Sequence, residues 1–341
     1  MLKRLEPELK KIGLFGGKLG LRTYLVGGAV RDKLLGRKNF DWDVVVEGDP
    51  APLVGKLAEA WRGKITAHPK FGTFVLDLPD GRHIDFAASR KETYPLPGSL
   101  PEVKFSDLKN DLYRRDFTVN AIALSINPDS AGELIDRFGG LKDLNNRVLR
   151  VIHNESFRDD PTRILRLARF AGRGFGIEKN TLKMVFSGKK YIRRVSDERV
   201  REEILAILSE KNPSKSLKLL SDWGVLEAVL PGLKFNSRLG GKLKRGSLAE
   251  RLNTLLSGAG AERFTALMAK LKLPRNLKKE IEEVRRPSAK IKPLLRGSDL
   301  LELGYKPGPM FKTILETVAA RAFKSRRQAV RYVIDKFPQK V

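Results

Sequence analysis

Residues Tyr24 to Asp49 read YLVGGAVRDKLLGRKNFDWDVVVEGD, and the order of residue types in this stretch decides the architecture. An apolar run stops at Gly27-Gly28, a short amphipathic stretch carries Arg31, and a second β-branched run carries Asp41 and Asp43. Those periods predict strand, tight turn, short helix, strand. Two glycines at the turn let the backbone approach an anion closely, the helix start aims free N–H groups at it, and Arg31 adds a planar fork of donors. Such a turn suits a triphosphate. Asp41 and Asp43 lie two apart, so on a strand their carboxylates share a face. That arrangement can hold two Mg²⁺ ions ~3.5–4 Å apart for in-line phosphoryl transfer. A Gly-Gly turn or an Asp-x-Asp pair is common alone; their succession is the specific signal.

From residue 21 to about 150, short β-branched or aromatic runs (TYLVGG, WDVVVEG, TFVLDL, HIDFAAS) alternate with Gly, Asp and Pro, which predicts mixed α and β structure. Helical periodicity there is confined to AVRDKLL and PLVGKLAEAW. GLFGGKLG (Gly13–Gly20) mimics a phosphate loop, but Leu follows its Lys where Ser or Thr is required, so it reads as a plain loop. Asp85, in HIDFA, falls on a neighbouring strand, as a third carboxylate for the metals, a base for a hydroxyl, or a structural strand end. In DLYRRDFTVNAIAL (Asp111–Leu124) the Arg pair can donate to phosphate and Asp116 can accept from a ribose. Gly139-Gly140, in DRFGG, marks a hinge or a simple connector.

Past residue 150 apolar residues recur at intervals of three and four, and the rest of the chain is expected to be helical. Loop signals fall at Lys211–Ser214, Pro231–Gly241, Arg286–Ser288 and Gly304–Pro309. In FRDDPTRILRLARFAGRGFGI (Phe157–Ile177), a helix beginning at Pro161 aligns Asp160, Arg163, Arg166 and Arg169 as one polar stripe, with Ile164, Leu165, Leu167 and Phe170 opposite. Asp160 can accept from an exocyclic amino group and Arg163 can donate to a ring acceptor. Cytosine and adenine carry that edge and uracil and guanine do not, so the pair selects CTP and ATP. Arg166 and Arg169 then face the triphosphate.

The 341 residues exceed one ordinary core, and 41% hydrophobic content supports packed domains. The formal charge is +27, and the stretch from Leu233 to Val341 holds 26 Lys and Arg against 9 Asp and Glu, an excess of 17. An imbalance on this scale points to a polyanionic partner, nucleic acid above all. There is no cysteine, which excludes disulfides, thiolate metal sites and Cys nucleophiles, and the three histidines (His68, His83, His153) lack metal-ligand spacing. With no signal-length apolar start, no membrane-length apolar run and nothing that calls for a protein partner, the expected location is the cytoplasm, away from membranes.

Taken together, GGAVRD with DWD, RRDFTVNA, DRFGGLKDL, DDPTRILRLARFA with SDERVREEI (Ser196–Ile204) and GSDLLELGYKPGPMF (Gly297–Phe311) resemble, in order and spacing, the class II tRNA nucleotidyltransferases and bacterial poly(A) polymerases. The resemblance implies an α+β chain, with a polymerase-β-like nucleotidyltransferase head (1–150) followed by an all-α neck (151–211), body (212–290) and basic tail (291–341) that grip tRNA. It implies untemplated addition of C, C and A from CTP and ATP. Asp41 and Asp43 would hold Mg²⁺, Gly27, Gly28 and Arg31 the triphosphate, and Arg115 the nucleotide. Asp116 would lie near the ribose, Asp160 and Arg163 would read the base, Arg166 and Arg169 would complete the pocket, and Glu198 to Glu203 would buttress the reading helix. Where the family has Glu-Asp this chain has Asp159-Asp160, and no histidine follows His153, so the His-Asp phosphohydrolase domain of some relatives is not expected.

Adding CC alone, adding A alone and making poly(A) share this chemistry. CC-adding relatives lack a flexible loop, and Arg90–Leu112 is of full length with acids and a basic residue free to swing, which favours full CCA addition. A non-catalytic RNA-binding module needs no paired carboxylates facing its own polyanion.

Overall fold

The structure is a computed structural model and describes residues 5–68, 72–285, 295–319, 323 and 325–338. It divides into two compact units, 1–277 and 278–341. Among the described residues no helix is long and apolar enough to cross a membrane.

The larger unit opens with helix α1 (Pro7–Lys18) and a seven-stranded sheet. The strands are β1 (Arg22–Val26), β2 (Trp42–Glu47), β3 (Lys64–His68), β4 (Thr73–Asp77), β5 (His83–Ala88), β8 (Ile122–Ser125) and β9 (Leu134–Asp136). Their order is β3-β4-β5-β2-β1-β8-β9, antiparallel throughout except for the parallel pair β2–β5. Helices α2 (Gly28–Leu34) and α3 (Ala51–Trp61) follow β1 and β2. Tyr24, Val26 and Val45 pack on one face of the sheet with Leu108 and Leu112 of α4 (Leu108–Tyr113). Thr23, Leu25, Val44 and Val46 alternate onto the other face and are also buried. Burial on both faces explains the unbroken apolar runs.

The glycine-rich stretch from Gly13 to Gly20, expected to be a loop, is for the most part the last turns of α1. Its glycines serve packing. A Cβ on Gly13 would lie 1.7 Å from the Ile126 carbonyl oxygen, and one on Gly16 2.7 Å from Thr23 Cγ2. The helix therefore approaches the sheet closer than any side chain permits, and the resulting contacts offset the low helix propensity of glycine.

Arg90–Leu112 also differs from a free loop. It folds as a two-stranded hairpin, β6 (Arg90–Thr93) and β7 (Glu102–Phe105), followed by the start of α4. Gly98, at its tip with φ +76°, donates its N–H to the Arg158 carbonyl and leaves room for Pro161 and Arg194. After β9, Gly139 adopts φ +75° and starts α5 (Gly140–Asn145), whose free N–H groups at Gly140 and Leu141 are taken by the Asp136 carboxylate. Strand β10 (Val148–Leu149) pairs with β11 (Gly176–Ile177).

The remainder is helical as its period predicts. α6 (Ser156–Asp159), α7 (Thr162–Gly172), α8 (Lys179–Gly188) and α9 (Asp197–Leu208) follow the sheet, then α10 (Pro213–Asp222), α11 (Val225–Val229), α12 (Ser237–Lys242), α13 (Leu248–Ser257), α14 (Ala261–Lys270) and α15 (Arg275–Arg285). α7 buries Ile164, Leu165, Leu167, Ala168 and Phe170, and Gly172 lets α10 come close, since a Cβ there would meet Ser216 Oγ at 2.2 Å. The smaller unit packs α16 (Gly297–Glu302), α17 (Pro309–Ala319) and α18 (Arg326–Lys336) around Leu300, Tyr305, Ile314 and Val333. The expected loop at Arg286–Ser288 and the body–tail boundary at 290 lie outside the described residues.

Candidate active site

The strand and helix ends that the sequence singled out meet at one cleft of about 660 Å³ inside the larger unit. Gly27, Gly28, Arg31, Asp41, Asp43, Arg115, Asp116, Asp160, Arg163, Arg166 and Arg169 all line it. Asp85 does not. A wider hollow of about 920 Å³ beside α4 and β9 contains none of these groups.

At one end, Gly27 has φ +69°, a conformation that L side chains avoid. A Cβ there would come 2.9 Å from an Arg115 nitrogen and 3.4 Å from an Asp43 oxygen, so glycine is what lets Arg115 and Asp43 close over the turn. Asp43 and Asp85 are register partners across β2–β5. Asp41 stands just before β2, and its carboxylate, the Asp85 carboxylate and the His83 imidazole offer ligand atoms within 4.8 Å of one another. His83 Nε2 is 3.3 Å from Asp41 Oδ1. His83 is a site residue that sequence reading missed, because only the pairing of β2 with β5 brings it beside Asp41. Desolvation raises the Asp43 carboxyl above its usual range; Arg115 opposes this, while Asp85 and Asp41 push it further up. Carboxylates crowded in this way gain from a dication. Two carboxylates suit Mg²⁺, and the imidazole extends the fit to Mn²⁺.

The arginines are tied down before any ligand arrives. Arg31 is 6% exposed; it donates from Nη1 to Asn120 Oδ1 (2.6 Å) and from Nε and Nη2 to Asp32. Asn120 in turn donates to Asp116 Oδ1 (2.8 Å), and Asp116 Oδ2 accepts from Arg166 (2.7 Å). A continuous chain therefore runs from the glycine turn to α7. With both oxygens engaged, Asp116 acts here as a tie between sheet and helix. Burial alone would raise its carboxyl, but Arg166 and the Asn120 amide bring it down to about 2. Arg166 and Arg169 both meet Glu203 of α9, at 3.4 and 3.6 Å. Phe170, expected on the far side of α7, borders the cleft and carries the guanidinium groups of Arg31, Arg169 and Arg173 within 5.0–5.5 Å of its ring centre. The ring spaces three like charges that would otherwise repel.

Around Arg163, Nη1 donates to Ser156 Oγ (2.8 Å) and Nη2 to the Arg114 carbonyl (2.6 Å). Arg114 joins Asp111 and Glu92, and Tyr94 donates to Glu92, so the hairpin supplies Glu92 and Tyr94 to the cleft wall. Neither was singled out in the sequence.

With this geometry in view, the comparisons fall into one class. Residues 23–150 match the poly A polymerase head domain, and 174–236 match a probable RNA and SrmB-binding site of polymerase A. A CC-adding tRNA nucleotidyltransferase of Deinococcus radiodurans is 33% identical over 92% of this chain and 90% of its own length. The chain therefore belongs to the class II tRNA nucleotidyltransferase family. An A-adding tRNA nucleotidyltransferase of Geobacter sulfurreducens is 42% identical over 66% of this chain, which spans only 26% of that relative's length. The Thermotoga maritima CCA-adding enzyme complexed with tRNA superposes with a TM-score of 0.68 at 31% identity, over 99% of this chain and 86% of that one.

Proposed function

We propose that this chain completes the 3′-terminal CCA of tRNA from CTP and ATP, without a template, by attack of the tRNA 3′-hydroxyl on the α-phosphate with pyrophosphate leaving. The observation that carries the reading is the cleft itself: carboxylates stand at one end, restrained arginines line its length, and Asp160 and Arg163 are set in its wall. Two divalent ions, Mg²⁺ in the first instance, would be held by Asp41 and Asp43 and would stabilise the attacking and leaving oxygens. Arg31 and Arg115 beside Gly27 and Gly28 bind the triphosphate, and Asp160 with Arg163 reads the base. Arg166 and Arg169 complete the pocket through Asp116 and Glu203. His83 holds Asp41 in position, and Asp85 adds a third carboxylate beside it. The basic smaller unit and the helices before it bind the tRNA body through its phosphates.

Relatives named A-adding and CC-adding make those narrower products the alternatives. The test is incubation with tRNAs ending before CCA, after C and after CC, with CTP, ATP or both. Addition of A to a CC end with no C on a bare end would make the chain an A-adding enzyme, arrest after CC a CC-adding one, and long A tracts a poly(A) polymerase. Asp41→Ala is expected to reduce transfer at least 1,000-fold with tRNA affinity nearly unchanged, and retained transfer would overturn the metal assignment.

A further inference from the structure

Asp160 is held asymmetrically. Its Oδ1 accepts from the Thr162 N–H (3.0 Å) and from Thr162 Oγ1 (2.6 Å), and pairs as an ion with Arg199 Nη2 at 2.7 Å. Its Oδ2 accepts from none of the described residues, and the carboxylate lines the cleft. A carboxylate that is free to turn presents either oxygen in any direction, whereas two hydrogen bonds and an ion pair on one oxygen fix where the lone pairs of the other point. Thr162 is a neighbour in sequence; Arg199, on α9, is the partner that arrives from another element.

Arg199 also sits badly for its own helix. It is the third residue of α9, where exposed N–H groups make a cation unfavourable by roughly 0.3–1 kcal/mol. Its Nη1 is buried with no acceptor among the described residues, a loss on the order of 1–3 kcal/mol. Two local costs at one residue signal a function that outweighs them. One turn further along the same helix, Glu203 holds Arg166 and Arg169. Residues 199 and 203, four apart, share a face of α9, so a single rigid element fixes both the base-facing acid and the arginines beyond it.

We propose that Arg199 is the positioning residue that sets nucleotide choice, clamping Asp160 Oδ1 so that Oδ2 stands as a fixed acceptor for the exocyclic amino group of the incoming base. This rests on the base-reading role proposed above for Asp160. A base with a carbonyl oxygen at that edge meets a lone pair it cannot pair with, and a carboxylate that could rotate away would lose the discrimination.

The full-length chain tests this with kcat/KM for ATP, CTP, GTP and UTP on tRNA lacking its terminal nucleotides, together with melting temperatures. The variants are Arg199→Met, Arg199→Lys, Asp160→Ala and the double variant Asp160→Ala/Arg199→Met. Arg199→Met is expected to reduce discrimination against GTP and UTP at least tenfold, about 1.4 kcal/mol. Arg199→Lys should restore part of it, and Arg199→Met should add nothing to Asp160→Ala. An equal fall with all four nucleotides, or a full additional loss in the double variant, would make Arg199 a structural residue and overturn the proposal. Relaxed choice in Asp160→Ala with unchanged choice in Arg199→Met would overturn it while leaving the base-reading role standing. Unchanged choice in Asp160→Ala would overturn that role and the proposal with it.

Discussion

Asp116→Asn is the substitution that tests most of the site at once. The native carboxylate is buried, receives the Phe117 N–H (2.8 Å) and the Asn120 amide (2.8 Å) on Oδ1, and faces Arg166 at 2.7 Å with Oδ2. Asparagine keeps one oxygen for the first two donors but sets an N–H against a guanidinium, leaving Arg166 partly buried with Glu203 alone. Its depression from 3.8 to about 2 corresponds to about 2 kcal/mol of stability. Removing one side of a buried pair costs about 3–5 kcal/mol in general. A loss of about 2–4 kcal/mol is therefore expected near pH 7. Urea unfolding followed by tryptophan fluorescence reads it cleanly, because Trp42, Trp61 and Trp223 all lie in the larger unit. Adding Arg166→Met, which removes the stranded charge, should recover at least ~1 kcal/mol. The pH dependence has a definite sign. A lowered carboxyl stabilises in full above its unfolded value near 4, and that contribution disappears as pH falls toward 2. Wild type should lose it across that window and Asp116→Asn should not. A variant within ~0.5 kcal/mol of wild type at pH 7, with the same acid limb, would refute the tie between sheet and helix.

Two further predictions concern stability. Gly139→Ala and Gly140→Ala should separate two reasons for glycine: at 139 the strain of φ +75° costs about 1 kcal/mol, whereas at 140 a Cβ would press within 2.2 Å of the Thr118 carbonyl oxygen and cost about 2–3 kcal/mol. Equal urea midpoints for the two would sink the distinction. His153, stacked on Tyr113 at 4.8 Å, is lowered to about 4 by burial and by Arg163. It therefore stabilises in full above its usual 6.5 and loses that contribution as pH falls toward 4. His153→Phe should flatten the stability profile in that window by about 1–3 kcal/mol, and an unchanged profile by denaturant titration would count against it.

Much of the head was legible because its signals are local. Glycine at a turn, alternation in a strand and a proline before a helix are dictated by φ, ψ and side-chain period, and they located β1, α2, β2 and α7 along with their acids and arginines. GLFGGKLG misled because glycine has two uses: it frees a turn, or it permits close packing. Only the Ile126 carbonyl beside Gly13 tells which applies. His83 was invisible as a site residue because its partner, Asp41, stands just before the start of a strand more than forty residues earlier.

Near neighbours along the chain were enough for the family, most of the order of elements and many of the residues that face the cleft. The tertiary structure decided how those residues are restrained. It made Asp116 a tie between sheet and helix, placed Phe170 against three guanidinium groups, and gave Asp160 one clamped oxygen and one open one. These are consequences of long-range pairing: a charge in a cleft is defined by what reaches it from other elements, and periodicity within one segment carries no record of that.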